Sequence, residues 1–230
     1  GQSSFTLTVN PVNDAPVVDA ILNDSVDEDQ SYILEISASD VDGDELVLTA
    51  DVDGNGTASV DGSTLTVTPS QDYNGDIVVT VTASDGDLTG QSSFTLTVNP
   101  VNDAPIVDAI LNDSVDEDQS YILEINASDI DGDQLTLTAD VDGNGTASID
   151  GNTLTVIPSQ DYNGDIVVTV TASDGQLLGQ SSFTLTVNPV NDAPVVESYS
   201  DTSIDEDENL ELQLIASDID SSDLTFSASV

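Results

Sequence analysis

The chain has 230 residues, with 45 acidic side chains and no Lys, Arg or His, so its formal net charge is −45. Without basic side chains it has no electrostatic attraction for nucleic-acid phosphates or anionic lipid headgroups, so we expect no nucleic-acid partner. No run approaches the roughly 18 apolar residues needed to span a bilayer, so we expect no direct membrane insertion. The absence of Cys excludes disulfides and thiolate metal sites. Without His or Lys, Ser–His–Asp and Ser–Lys catalysis are excluded as well, and we expect no enzyme.

An internal repeat organises the chain. Residues 1–16 recur unchanged at 90–105 and 179–194, a period of 89 residues (90 − 1), and residues 16–104 differ from 105–193 at ten positions. A period of this length matches a whole small domain. The predicted divisions are 1–15, the last strand and linker of a preceding repeat; 16–104 and 105–193, two complete repeats; and 194–230, the N-terminal part of a third.

Within each repeat, apolar and polar residues alternate with a period of two, which is typical of half-buried strands. In the first repeat the predicted inward residues are, in chain order, Tyr32, Leu34, Ile36 and Ala38; Leu46, Leu48 and Ala50; Leu65 and Val67; Ile77, Val79, Val81 and Ala83; and Phe94, Leu96 and Val98. Asp-Gly and Asn-Gly pairs separate these runs and predict turns. About seven strands in about 90 residues indicate an all-β, immunoglobulin-like sandwich, and the short linkers favour end-to-end stacking.

Acidic residues recur in the turns and at the ends of the predicted domains. In the first repeat they are Asp27-Glu28-Asp29, Asp40-Val41-Asp42-Gly43-Asp44, Asp72 and Asp85, with Asn13-Asp14 in the linker. Calcium binds six to eight oxygen ligands from carboxylates, amides and carbonyls, and an Asp-x-Asp turn directs two carboxylates to one side. The alternative is that Asp, Asn and Gly serve only as turn formers. Because these acidic clusters recur in a chain that has no Lys, Arg or His, we favour Ca²⁺ binding at some of them.

Two further motifs have two interpretations each. Residues 51–56 resemble the first half of an EF-hand loop, but Gly62 stands where the bidentate Glu belongs, so they form either a hairpin turn or a separate calcium site. Tyr73 and its equivalent Tyr162 precede Asn-Gly pairs. Each is either a ligand-stacking aromatic or a buried anchor at a sandwich corner.

Several motifs, in a fixed order, resemble the cadherin-like tandem repeats of bacterial calcium-dependent surface adhesins. They are Ser25-Val26-Asp27-Glu28, Ala38-Ser39-Asp40-Val41-Asp42-Gly43, Val81-Thr82-Ala83-Ser84-Asp85-Gly86, and residues 98–105, Val-Asn-Pro-Val-Asn-Asp-Ala-Pro. The resemblance covers both complete repeats and the partial third. It implies cadherin-like sandwiches with one to three Ca²⁺ ions at each junction between successive repeats.

The resemblance also implies which residues bind the metal. At the junction of the first and second repeats they are Glu28, Asp72, Asn102, Asp103, Asp129, Asp131 and Asp174. At the next junction they are Glu117, Asp161, Asn191, Asp192, Asp218 and Asp220. At the junction before the first repeat only Asn13, Asp14, Asp40, Asp42 and Asp85 are present.

The predicted function is a structural spacer of a secreted or cell-surface adhesin, stiffened by calcium, whose partners are the adjacent repeats of the same chain. Two alternatives remain. The chain could be a subunit of an extracellular filament, with other copies of itself as partners, or a calcium-dependent carbohydrate-binding module. Paired carboxylates also cleave glycosides, but such a pair should occur once, in a cleft, whereas these recur in every repeat.

Overall fold

A computed structural model describes residues 2–229, and every regular element in that range is a β-strand. The prediction of an all-β fold of tandem sandwiches is confirmed. The chain forms two compact units, one ending at Asn102 and the other beginning at Asp103.

The first unit contains nine strands, in two main sheets. They are β1 (Val17–Val18), β2 (Asp24–Asp27), β3 (Tyr32–Glu35), β4 (Ala38–Ser39), β5 (Val47–Val52), β6 (Gly56–Asp61), β7 (Thr64–Pro69), β8 (Gly75–Ser84) and β9 (Thr89–Asn99). One sheet has the order β2-β9-β8-β5 and the other β3-β7-β6, while β1 pairs with β4. All pairs are antiparallel except β2 with β9, which run parallel from Asp24 opposite Leu96 to Asp27 opposite Asn99.

The core between the two sheets follows the predicted alternation. Leu65, Val67, Ile77, Val79 and Leu96 are fully buried, whereas their sequence neighbours point outward. Burying one Leu, Ile or Val side chain stabilises the fold by roughly 1.5–3 kcal/mol, so these strands carry the sandwich without disulfides.

The prediction of a hairpin turn at residues 51–56 is wrong. Strands β5 and β6, on either side of this segment, do not pair with each other: β5 pairs with β8, and β6 pairs with β7. The Asp53 N–H and one carboxylate oxygen bind the main chain of Val78, at 3.1 and 2.9 Å, which keeps Asp53 on the first sheet. Two residues later the Asn55 carbonyl accepts the Ser70 N–H on the second sheet. Gly54 and Asn55 both have positive φ, so the segment is a crossing between layers.

The second unit repeats this architecture and continues beyond it. Its strands are β10 (Ile106–Val107), β11 (Asp113–Asp116), β12 (Tyr121–Glu124), β13 (Ala127–Ser128), β14 (Thr136–Val141), β15 (Gly145–Asp150), β16 (Thr153–Pro158), β17 (Gly164–Ser173), β18 (Leu178–Asn188), β19 (Val195–Val196) and β20 (Ala216–Ser217). The sheet orders are β11-β18-β17-β14 and β12-β16-β15, with β10 paired to β13 and β19 to β20. The last pair belongs to the partial third repeat.

Residues 2–16 contain no strand, although residues 91–105 have the same sequence and contribute to β9. Phe94 is 3% exposed between β8 and β2, whereas Phe5, at the same place in the repeat, is 89% exposed. The alternation therefore becomes a strand only where neighbouring strands complete the sheet.

Candidate metal centre

The site begins with a buried carboxylate, Glu117, which follows β11. Its N–H donates to the Asn188 carbonyl at 2.9 Å, continuing the parallel pairing of β11 with β18. Its Oε1 atom accepts the Val190 N–H at 2.5 Å. Glu117 is 4% exposed, and it and its equivalent Glu28 are the buried charged residues among those the structure describes. A buried carboxylate with no basic partner is costly unless another cation compensates it.

The linker and the third repeat bring two more carboxylates to Glu117. The Asp192 N–H donates to Asp220 Oδ2 at 2.5 Å. Asp220 is held in the turn after β20, because Asp218 Oδ1 accepts the N–H groups of Asp220 and Ser221 at 3.0 and 2.8 Å. One carboxylate oxygen from each of Glu117, Asp192 and Asp220 lies within 4.8 Å of the other two. Asp218 thus supports the turn.

A second triad shares Asp192. Oxygens of Asp118, Asp161 and Asp192 also lie within 4.8 Å of one another. Asp118 and Asp161 have φ angles of 61° and 55°, a left-handed conformation that Asp tolerates better than most residues, and the Asp161 N–H donates to Asp118 Oδ1 at 3.1 Å. Asp118 was not among the predicted ligands. The Asp-Glu-Asp run at residues 116–118 indicated an acidic cluster. The direction of the Asp118 side chain, however, depends on its left-handed backbone angle.

These five residues, Glu117, Asp118, Asp161, Asp192 and Asp220, are called here the Asp192 cluster. The Oδ2 atom of Asp192 is buried and has no hydrogen-bond partner among residues 2–229. Burial raises the pKa of Asp192, and the charges of Asp161, Asp220, Asp118 and Glu117 raise it further. The cluster therefore concentrates negative charge that nothing in the chain can neutralise.

The donor set fits a hard divalent cation. It offers only oxygen atoms, which Ca²⁺ prefers, and the chain has neither the His nor the Cys side chains that dominate zinc sites. The unpartnered Asp192 Oδ2 is the kind of atom that a bound ion would satisfy. A cleft of about 320 Å³ adjoins the cluster and is lined by Asp161, Asp192, Val195 and Ser217, among others. Asn191, another predicted ligand, donates its side-chain N–H to the Asp192 carbonyl at 2.7 Å.

The first unit holds the residues predicted for the junction before the first repeat. The Asp14 N–H donates to Asp42 Oδ2 at 2.8 Å, and the Asn13 side chain donates to Asp85 Oδ2 at 2.9 Å. The Leu88 N–H, the Asn13 amide and the Asp87 N–H lower the pKa of Asp85. Oxygens of Asp40, Asp42 and Asp44 lie within 4.8 Å of one another, and Asp40 Oδ2 is buried without a partner among the described residues. Asp44 was not a predicted ligand.

The other predicted ligands belong to different units. Glu28, Asp72 and Asn102 lie in the first unit, and Asp103, Asp129, Asp131 and Asp174 lie in the second. Several of them repeat, within their own unit, contacts already described: Glu28 Oε1 accepts the Val101 N–H, the Asp72 N–H donates to Asp29, the Asp103 N–H donates to Asp131, and Asp174 accepts the Leu177 N–H. The Oδ2 atom of Asp129, like that of Asp40, is buried and has no hydrogen-bond partner in the described part of the chain.

Tyr73 serves as a corner anchor. Its hydroxyl donates to the Asp76 carbonyl at 3.0 Å, and its half-buried ring packs against the core. Gly75 has a φ of 133°, which L side chains rarely adopt, and a Cβ atom there would lie 2.9 Å from that hydroxyl, so both the backbone and the ring favour glycine. Tyr162 makes the same contact with Asp165. Both tyrosines therefore have a structural role at the bend that begins β8 and β17.

Comparison with known proteins supports the class of domain. Residues 12–99 match the model of the cadherin-like domain family, and residues 102–188 match that of the bacterial Ig domain family. Chitinase A of Pseudoalteromonas piscicida is 27% identical over 183 residues, which cover 76% of this chain and 22% of the chitinase. The chain thus spans about a fifth of that relative. Together with the sheets described above, the matches define two immunoglobulin- or cadherin-like sandwich domains.

Solved structures with similar folds include an endo-fucoidan hydrolase of glycoside hydrolase family 107 and Drosophila N-cadherin EC1-3. The hydrolase is 21% identical with a TM-score of 0.38, covering 80% of this chain and 30% of that one. The cadherin is 12% identical with a TM-score of 0.36, covering 77% and 69%. Within residues 2–229 no helix has the length and apolarity required to cross a bilayer.

Proposed function

We propose that this chain is an extracellular spacer segment whose successive repeats are held in line by Ca²⁺ at their junctions. The observation that carries the proposal is the Asp192 cluster. It joins Glu117, Asp118 and Asp161 of the second repeat to Asp192 of the linker and Asp220 of the third repeat. An ion bound there would contact three consecutive parts of the chain at once. The chain's own residues would supply carboxylate ligands and no catalytic group.

Electrostatics explains why the metal would stiffen the array. Without an ion, the like charges of the cluster oppose close approach of the second repeat, the linker and the third repeat. A bound Ca²⁺ would replace this repulsion with attraction. Binding to the folded state alone would add about 2.7 kcal/mol at a hundredfold excess over Kd. Extracellular calcium modules commonly bind at about 10⁻⁴–10⁻³ M, so the array would stiffen outside the cell.

Small-angle X-ray scattering of the whole chain tests the proposal. In millimolar Ca²⁺ the maximum dimension should be larger and better defined than in EDTA. The D192N variant should lose only the part of this change that arises at the second junction, so its curve in Ca²⁺ should lie between the native curves in Ca²⁺ and in EDTA. Identical scattering curves for the native chain in Ca²⁺ and in EDTA would refute the calcium-dependent spacer.

We also propose a second context for the same spacer, as one segment of a secreted polysaccharide-degrading enzyme. The similarity to a chitinase over 76% of the chain favours this setting over a free-standing filament subunit. In that case the spacer would separate a catalytic domain from other modules, and the chain itself would not bind sugar. Pull-down on chitin distinguishes the possibilities, because retention of the isolated chain would indicate a carbohydrate-binding module instead. Fibres of the isolated chain in electron micrographs would indicate the filament.

A further inference from the structure

A groove outside the metal site recurs in both complete repeats. In the first repeat it lies between residues 19–24 and strand β3, has a volume of about 440 Å³, and is lined by Ile21, Leu22, Tyr32 and Leu34, among others. The second repeat has the same groove, of about 460 Å³, between residues 108–113 and β12. Leu22 and its equivalent Leu111 are each 83% exposed at its rim. Both grooves have the size of ligand sites.

One wall of the groove is an unpaired strand edge. Strand β3 pairs only with β7, and the Ile36 N–H donates to the Ser63 carbonyl on that side. Because main-chain groups alternate along a strand, those of Glu35 and Ser37 point the other way, into the groove. The Ser37 carbonyl accepts the Asp19 N–H at 2.9 Å. The Ser37 N–H and the Glu35 carbonyl have no hydrogen-bond partner within residues 2–229.

The partial third repeat shows what these groups bind when a partner is present. There Tyr199 occupies the position of Ile21, two periods later in the sequence. Its hydroxyl accepts the Ile215 N–H at 2.6 Å and donates to the Gln213 carbonyl at 3.1 Å. Ile215 and Gln213 are the equivalents of Ser37 and Glu35. The third repeat therefore satisfies with a side chain the two groups that the other repeats leave open.

The rim of the groove defines the charge of its occupant. Asp19, Asp24 and Glu35 surround the first groove, and Asp108, Asp113 and Glu124 surround the second. A second copy of this chain would bring only more carboxylates, because the chain has no Lys, Arg or His. An extended peptide supplies both the acceptor and the donor that the open edge lacks. Basic side chains on that peptide would complement the rim.

We propose that both grooves bind an extended segment of a partner protein, with alternating basic and apolar residues, which adds a strand to the free edges of β3 and β12. Main-chain hydrogen bonds provide the affinity in this mode of recognition, and side-chain pockets provide the specificity. The interaction goes beyond the spacer function and does not depend on metal at the junctions.

The test uses the whole chain and a synthetic hexapeptide of alternating Lys and Val with blocked ends. At physiological ionic strength, calorimetry should give two peptides per chain. I21Y, which introduces the tyrosine found in the third repeat, should reduce the stoichiometry to one, and I21Y/I110Y should abolish binding. V47Y adds a tyrosine at an exposed position outside the groove and should retain two.

Main-chain chemistry separates strand addition from simple attraction to a polyanion. A peptide of the same charge, N-methylated along one edge, should bind at least tenfold more weakly. Amide exchange of Ser37 and its equivalent Asn126 in the native chain should slow when the unmodified peptide is added, a result that needs no variant to fold. Equal binding of both peptides, unchanged exchange, or a self-association that I21Y/I110Y removes would each overturn the proposal.

Discussion

The same linker sequence surrounds Asp14 and Asp192, yet the two residues have different environments. Each donates its N–H to the second Asp of the Asp-x-Asp turn that follows, Asp42 at 2.8 Å and Asp220 at 2.5 Å. Asp14 is exposed, whereas Asp192 is half-buried and also meets Glu117, Asp118 and Asp161 of the repeat before it. The linker and the following turn thus make half a site, and the end of a preceding sandwich completes it.

This difference shows where the electrostatic cost arises. In the half site Asp14 is exposed and several carboxylates accept N–H groups, as at Asp85, whose pKa is lowered, while Asp40 Oδ2 is buried without a hydrogen-bond partner among the described residues. The completed cluster encloses an unpartnered oxygen of Asp192 and raises its pKa by burial and by neighbouring charges. Affinity for a cation should therefore be greatest where a preceding sandwich is present.

Loss of the sandwich beneath the cluster should have the largest effect. Leu154 and its equivalent Leu65 are both fully buried. Truncation of either to Ala should cost roughly 2–5 kcal/mol of unfolding free energy. L154A should also reduce the calcium-dependent rise in the melting temperature of the second unit, whereas L65A should leave that rise intact. Thermal unfolding with Ca²⁺ and with EDTA measures this rise in both variants. An equal reduction of the rise in L154A and L65A would show that the second sandwich has no special role in calcium binding.

Removal of the carboxylate that both triads share should have the next largest effect. D192N should weaken Ca²⁺ binding at the second junction by roughly 10-fold or more, since even loss of supporting groups costs metal sites 10–100-fold. The matched variant D14N should leave the tightest binding step unchanged, because Asp14 lies in the half site. Isothermal titration calorimetry measures the Ca²⁺ dissociation constants of both variants. Parallel weakening in D14N would mean that the preceding sandwich is not needed.

Substitution of the buried Glu117 should change the stability of the chain in opposite directions without and with Ca²⁺. E117Q keeps an acceptor for the Val190 N–H but removes a buried charge, so it should stabilise the metal-free chain by about 1 kcal/mol. In Ca²⁺ the same variant should be destabilised, because it would remove one charged ligand of the proposed ion. E124Q, at an exposed position of the same unit, is the control and should show no such reversal. Urea unfolding in both conditions provides the measurement.

The smallest expected effect is on the pKa of one tyrosine in each complete repeat. These two Tyr–Asp pairs test whether the two tyrosines titrate independently of each other. Burial, then the hydrogen bond to Asp24 and its charge, raise the pKa of Tyr32 to about 12. Tyr121, paired with Asp113, also has a raised pKa. Because the folded pKa exceeds the unfolded value near 10, this contribution to stability is full below about pH 10 and is lost as pH rises toward 12.

D24N should therefore lower the pKa of Tyr32 and leave that of Tyr121 unchanged. The ultraviolet absorbance of tyrosinate follows both titrations, and D113N is the reciprocal control. A shift of both tyrosines in either variant would show that the units do not behave independently.

Local patterns predicted most of the fold and part of the site. Alternation identified the buried faces of β7, β8 and β9, because each strand buries one side regardless of its partner. The turn at residues 51–56 was predicted wrongly, since local turn chemistry does not reveal that Asp53 binds Val78 on a different sheet from Asn55. Asp118 was missed because its direction depends on a left-handed backbone angle.

The sequence alone determined the repeat, the sandwich class and the absence of any internal cation, since these depend on composition and on periods of two and 89 residues. Tertiary structure decided which carboxylates meet and which strand edges stay open. Glu117 and Asp192 are 75 positions apart (192 − 117) and converge only because β11 pairs parallel with β18. Such pairings join distant segments, so no local pattern records them.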